Sequence, residues 1–368
     1  MALSVRVNGR PLTTAKSIVV DRKIKQAVGT FNIQYSLGPG GSSVIKGNER
    51  IEVYADGTQV LNGFAEKISL KEDSGNRFIT ISGRDRTADL LDSSLREMKE
   101  FNGPINLPDI IQAVLDDLGL SDISVVDESQ NLKPFLAEDL ISGSPGENAF
   151  VFINRYCVKR QVIVTTNGDG DILLLAGEYQ DSGLILKDIV GGFDNNVKNT
   201  SIDIDLTKIF GEYKIRAQQN PLKRNRQTSA QAIVSVEGTS QDSQARSTRY
   251  LEVEAIEDME PETAQERADY EAAIRNSESL VIKTTYAGHT LNGSVPFPGR
   301  QVRFVHEVFG FDMLAVVRDM KMSYDSGKSE TMLSLSKQDA YGKQIPKSSG
   351  GTGSGSASGR AVQAEKFL

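Results

Sequence analysis

Residues 50–85 read RIEVYADGTQVLNGFAEKISLKEDSGNRFITISGRD, and residues 301–339 read QVRFVHEVFGFDMLAVVRDMKMSYDSGKSETMLSLSKQD. Each stretch reads as a strand, a turn, a long strand, an Asp-Ser-Gly turn and a further strand. Asp73-Ser74-Gly75 and Asp325-Ser326-Gly327 lie 252 residues apart, and at that offset Ile68 falls on Met320 and Leu70 on Met322. Solenoid units recur at roughly 20–50 residues, so this spacing predicts two copies of one β domain within a chain. The second copy reads as two residues longer after its Asp-Ser-Gly turn, and it lacks the Gly83-Arg84 junction.

Outward from the first copy, the chain stays β-rich. Val5 and Val7 precede an Asn8-Gly9 turn, and SIVVDRKI (17–24) and FNIQY (31–35) mix β-branched and aromatic residues with polar ones. The loop GPGGSS (38–43) separates these strands from the repeat, whose first hairpin turns at Asp56-Gly57. After Asp85 the period changes. RTADLLDSSLREM (86–98) reads as helix. Residues 107–118 form a clearer one, with Ile111, Val114, Leu115 and Leu118 on one face, Pro108 in the first turn and Gly119 just past the end. A third helix is predicted from Ser144, with Pro145 first and Glu147 at capping-box spacing; its apolar face is Ala149, Phe152, Ile153, Tyr156 and Cys157. The hairpin QVIVTT–NGDGD–DILLLA follows.

These readings give an α+β fold, mainly β. Two homologous β-barrel domains carry an inserted α/β domain and a flexible C-terminal tail. The expected first barrel takes 1–93 plus 198–220, because Ile202, Ile204, Leu206 and then Tyr213, Ile215, Ala217 alternate as strands. The inserted domain takes 94–197. A polar loop over 221–246 holds the basic cluster LKRNR (222–226) and a short strand at 232–236. The second barrel takes 247–340, including an Ala- and Glu-rich helix at 261–278 opened by Pro261. Residues 341–368 form a Gly/Ser-rich tail.

Composition removes several functions. The chain has 42 basic and 49 acidic residues, a net charge of −7, which argues against a protein that coats nucleic acid. One cysteine, Cys157, leaves no disulfide within a chain. The start, MALSVRVNGRPL, lacks the basic and apolar regions of a signal peptide, and no apolar run reaches about 18 residues, so synthesis in the cytosol without stable membrane insertion is expected.

No catalytic constellation emerges. His289 and His306 stand in no metal-protease spacing, and Cys157 lies on an apolar helix face. Asn167-Gly-Asp-Gly-Asp171 resembles half a calcium loop, but it lacks the closing Glu and sits between strands, so it reads as a hairpin turn. The Gly-rich stretches carry no Gly-Lys-Ser/Thr, and no Gly-x-Ser-x-Gly elbow occurs. Asp116, Asp117 and Glu147 read as solvated carboxylates. The cluster Lys223, Arg224, Arg226 reads as a solvated or salt-bridging loop. Catalytic, cofactor and metal residues are therefore all expected to be none.

The junction FITISGRDRTADLLDSS (78–94) resembles the baseplate hub proteins of contractile-tailed phages, especially the Mu-like group. The match is strongest at Ser82-Gly83-Arg84-Asp85 and Thr87-Ala88-Asp89-Leu90. VNGRPL, IDIDLTKIFGEYKIRAQ (202–218) and TRYLEVE extend it over roughly residues 3–340. The resemblance implies a non-enzymatic homotrimer in the virion baseplate, whose two tube domains per chain form a pseudo-sixfold ring. Such a ring joins the hexameric tail tube to the trimeric central spike, touches other baseplate (wedge) proteins and lets DNA pass in transit. Related hubs serve type VI secretion spikes and contractile bacteriocins. The competing readings are a tail-associated peptidoglycan hydrolase, which needs two placed carboxylates, and a host-surface-binding module. The absence of Trp weighs against the second.

Overall fold

In the computed structural model the described residues are 3–37, 43, 45–73, 76–129, 132–136, 139, 141–176, 179–219, 234–258 and 261–337. Ser74 and Gly75, most of the GPGGSS loop, the LKRNR cluster and the tail 341–368 lie outside them.

The N-terminal half supplies β1 (Leu3–Val7), β2 (Arg10–Pro11), β3 (Ala15–Lys23), β4 (Thr30–Leu37), β5 (Arg50–Ala55), β6 (Thr58–Asp73) and β7 (Asn76–Asp85). The inserted unit holds α1 (Ala88–Asp92), β8 (Lys99–Phe101), α2 (Leu107–Leu118), β9 (Val125–Asp127), β10 (Ile141–Gly143), α3 (Ala149–Lys159), β11 (Ile163–Thr166) and β12 (Ile172–Leu175). The chain continues with β13 (Asp181–Asp188), β14 (Val197–Ile204), a 3₁₀ turn at Leu206–Lys208, β15 (Glu212–Gln219), β16 (Val234–Gln241), β17 (Tyr250–Asp258), α4 (Pro261–Glu278), β18 (Leu280–Ala287), β19 (Gln301–His306), β20 (Phe311–Asp325) and β21 (Lys328–Lys337).

The duplication is visible as strand pairing. β5, β6 and β7 pair antiparallel in sequence, and so do β19, β20 and β21. Ile68 opposes Ile81 in the first copy and Met320 opposes Leu333 in the second, so the 252-residue offset persists beyond the turn. The two extra residues expected in the second copy are therefore absent up to that point. Both long strands bulge at matching places, at Glu66 between Ala65 and Lys67 and at Arg318 between Val317 and Asp319. A bulge re-aims the strand and raises its twist, so two copies bulged alike bend alike. The second turn is a tight reversal, with Ser326 at φ 47° and Gly327 at φ 88°. Both values are positive, as a two-residue hairpin turn of matching twist requires.

The likeness extends to the neighbours. β4 flanks β7 and β3 flanks β4; β18 flanks β21 and β14 flanks β18. Tyr35 and Tyr286 are both fully buried and sit opposite Ala15 and Val197, and each pairing then slips by one residue, at Lys16 and at Lys198. Antiparallel pairing of β20 with β3 fuses the copies into a 13-stranded sheet over one continuous apolar core, from Leu3 to Leu335.

This pairing corrects the assignment of 198–220 to the first barrel. β14 hydrogen-bonds to β18 of the second copy, and β15 lies in a separate three-stranded sheet between β16 and β17. Tyr213, Ile215, Ala217 and Val236 are buried in that sheet, and α4 lies over it with Ala264 and Ala268 buried. A Cβ on Gly238 would stand 2.2 Å from the Ala264 carbonyl oxygen, so small residues allow this close approach. The segment expected as a polar loop thus contributes a full strand, β16. The inserted unit also ends earlier than residue 197, because β13 joins the main sheet parallel to β19. The physical reason is common to these cases. Alternation fixes which face of a strand is apolar, but not which distant strand it joins.

Within the inserted unit, α2 spans the expected residues and stops at Gly119, in the left-handed region at φ 76°. Two helix starts differ. RTADLLDSSLREM yields only α1, and α3 begins at Ala149 rather than Ser144 because Asn148 is the cap, its side chain accepting from the Val151 N–H. The unit has its own core, with Ile111, Phe135, Phe152 and Leu174 among its members.

Candidate functional site

Cys157 is buried and its thiol is pushed up to about 12 by burial. His289 is buried, with Nδ1 3.2 Å from Thr331 Oγ1 and Nε2 without a partner among the described residues; burial lowers it to about 4. His306 packs between Phe304 and Phe309 beside Asp188. Asp117 pairs with Lys99 at 3.1 Å, Glu147 pairs with Arg155, and Asp116 accepts from Gln112. Asp171 of the Asn167–Asp171 turn holds Arg86, and the Asn167 side chain accepts the Asp169 and Asp171 N–H groups. Among the described residues no group of three His, Cys, Asp or Glu could hold a metal ion. The carboxylates that burial moves upward are Asp89, on α1 at the start of the inserted unit, and Asp319 on β20 of the main sheet.

The polar geometry converges instead on Ser82–Leu90, where β7 runs into the inserted unit. Asp85 is buried; its Oδ2 accepts from the Gly29 N–H at 2.7 Å and from Thr166 Oγ1 at 2.8 Å, and its Oδ1 accepts from Thr87 Oγ1. Arg22, also buried, places Nη2 3.5 Å from Asp85 and donates to the carbonyls of Val60, Thr166 and Asn167 at 3.2, 2.7 and 2.6 Å. Burial opposes the charge on Arg22 and lowers its pKa, while Asp85 opposes that drop. Five segments meet here: β3, the β3–β4 connection at Gly29, β6, β7 and the β11–β12 hairpin. A charge left unpaired in such a place is costly, so the network fixes the angle at which the inserted unit leaves the sheet.

Arg84 closes the outer side, forking onto Glu66 at 2.7–3.0 Å and reaching Asp92 at 2.5 Å. These partners raise its pKa. Gly63 and Gly83 allow the backbones of β6 and β7 to touch: a Cβ on Gly63 would lie 1.9 Å from the Arg84 carbonyl oxygen, and one on Gly83 1.9 Å from that of Phe64. Sequence reasoning found Ser82–Leu90 as a signature but missed Arg22, Thr166 and Gly29; Thr166 stands 81 residues from Asp85 in sequence. A lone arginine inside the apolar alternation of β3 was the available signal.

Exposed apolar side chains include Val190, Phe193, Val308 and Phe309 at one end of the sheet, Leu70 on β6, Ile204 on β14 and Leu206 in the 3₁₀ turn that follows it.

The chain matches known proteins in two segments. Residues 2–85 match the family described as Mu phage baseplate assembly protein GpP-like, N-terminal. Residues 87–176 match the second domain of baseplate hub protein gp44-like; the boundary between the two falls at the Asp85–Thr87 junction. Baseplate hub protein gp44 of Escherichia phage Mu is 23% identical over 292 residues, covering 78% of this chain and 74% of gp44. The 43 kDa tail protein of prophage MuSo2 from Shewanella oneidensis superposes with a TM-score of 0.76 at 20% identity, covering 92% of this chain and 99% of that one. A tail protein from Neisseria meningitidis MC58 gives 0.75 at 19%, covering 92% and 97%. At these identities the structural likeness is one of fold.

Proposed function

The chain belongs to the baseplate hub proteins of contractile-tailed phages, and from that premise we propose that three copies close into a ring of six similar β modules. The hub is a structural protein of the virion tail. In the proposed ring, one face receives the hexameric end of the tail tube and the other carries the trimeric central spike. Symmetry supports the reading. A sixfold partner and a threefold partner meet without mismatch only if each chain offers two equivalent docking modules. The observation that carries it is the repeated strand set, β3-β4-β7-β6-β5 and β14-β18-β21-β20-β19, with shared bulges.

The inserted unit projects from the ring and meets neighbouring baseplate proteins, and residues 341–368 reach the spike or an adjacent copy. The net charge of −7 suits a lumen that DNA crosses without sticking. The decisive measurement is the mass of the purified protein in solution, alone and with its spike. A trimer is expected. A chain that remains monomeric in both conditions overturns the ring, and a predominantly basic lumen in the assembled trimer overturns the charge reading.

A further inference from the structure

We infer that β14 of one chain adds to the open edge of β6 in a second copy, in the register that β3 takes on β20. This rests on the self-assembly proposed above and specifies its contact. The argument begins inside one chain. Past its bulge, β20 is covered on one edge by β21 and on the other by β3, from Asp319 opposite Lys23 to Asp325 opposite Ser17. β6 is the same strand one repeat earlier. Its edge is covered by β5 as far as Phe64, and past Ala65 that edge carries no strand among the described residues. The equivalence holds in detail: the backbone of Ala65 bonds Glu49 and Asn48 as that of Val317 bonds Arg300 and Gly299.

The missing strand has a candidate of matching shape. β14 is the repeat of β3: it pairs with β18 as β3 pairs with β4, with the same one-residue slip. Among the described residues it ends the main sheet, with β18 as its one strand neighbour. The chain thus offers an unfilled β20-like edge and an unused β3-like strand. One chain cannot join them to each other by the rule that joins its own modules, since that rule links each module to the next. Repeating the rule between chains is a heterologous contact, which closes into a ring when the rotation allows.

Side chains at the transferred register agree. Ile68 would oppose Ile204 and Leu70 would oppose Ile202. Leu70 is 60% exposed and Ile204 53% exposed, whereas Met322, the repeat of Leu70, is fully buried beneath the strand that covers it. The charge pair at the end of the contact also transfers. Asp319 opposite Lys23 becomes Lys67 opposite Asp205, opposite charges with the signs exchanged. Such directly opposed pairs favour one register over a slipped one.

Ser69 and Asp203 would be directly opposed on the solvent-facing side, which makes them the test. A chain carrying Ser69→Cys is mixed with one carrying Asp203→Cys and oxidised; native Cys157 is buried and does not compete. A disulfide-linked dimer is expected on a non-reducing gel from the mixture and from neither variant alone. Ser69→Cys mixed with Ser201→Cys serves as the register control, since diagonal neighbours sit about 7–8 Å apart, beyond the reach of a disulfide. Light scattering on the same samples separates the outcomes. An oligomer without the Ser69–Asp203 link, or with the Ser201 link in its place, overturns the pairing and leaves self-assembly standing. A monomer overturns both.

Discussion

Replacing Arg22 by Met removes the centre of the buried junction while keeping much of its aliphatic length. Three carbonyl oxygens, on Val60, Thr166 and Asn167, lose their donor, and Asp85 loses its cation. Asp85 keeps the Gly29 N–H and the Thr166 and Thr87 hydroxyls, so its charge remains partly compensated. Removing one member of a buried ion pair costs about 3–5 kcal/mol, and the surviving hydrogen bonds to Asp85 place this case toward the lower end. At about 2–4 °C per kcal/mol for a large cooperative unit, the melting temperature should fall by roughly 6–15 °C. Differential scanning calorimetry measures that fall. A double-mutant cycle with Asp85→Asn tests its cause: the double variant should be less destabilised than the sum of the singles, because neither partner is then left charged and alone. A fall below about 2 °C for Arg22→Met, or strictly additive effects, would refute the view that this pair fixes the inserted unit on the sheet.

Gly63→Ala and Gly83→Ala each force a Cβ to within 1.9 Å of a backbone oxygen, so both should destabilise by about 3 kcal/mol or more, read from urea midpoints. Buried His289 sits at about 4, below its ordinary 6.5, so the neutral form favours folding. Its contribution is complete above about 6.5 and is lost as pH falls toward 4; on the order of 2–3 kcal/mol should disappear across that window, and His289→Gln should flatten the dependence in denaturation at pH 7 and 4.5. Truncation at Lys347 should weaken attachment to the spike in a pull-down and leave the melting temperature unchanged.

Much of this was legible in the chain. The repeat around Asp73 and Asp325 declared itself because a hairpin is local: turn residues, strand alternation and offset all lie within about 35 residues. Helix α2 was equally readable, since its apolar period, Pro108 and Gly119 are contiguous signals. The two histidines and the one cysteine stand in no metal-protease or nucleophile spacing in the sequence. The Ser82–Leu90 signature stood out as residues, but not as a junction, because Arg22 and Thr166 reach it only through folding.

Sequence alone therefore determined what each segment is: strand or helix, apolar face or polar, and which segment repeats another. These follow from forces acting over a few residues. Tertiary structure decided which strand lies beside which. It moved β14 to the second copy, set β15 in a separate sheet between β16 and β17, and, among the described residues, left β6 and β14 with open edges. The physical reason is that backbone hydrogen bonds between strands are alike for every residue. A strand's neighbour is selected by the shape, twist and burial of the assembled sheet, none of which is written in the strand itself.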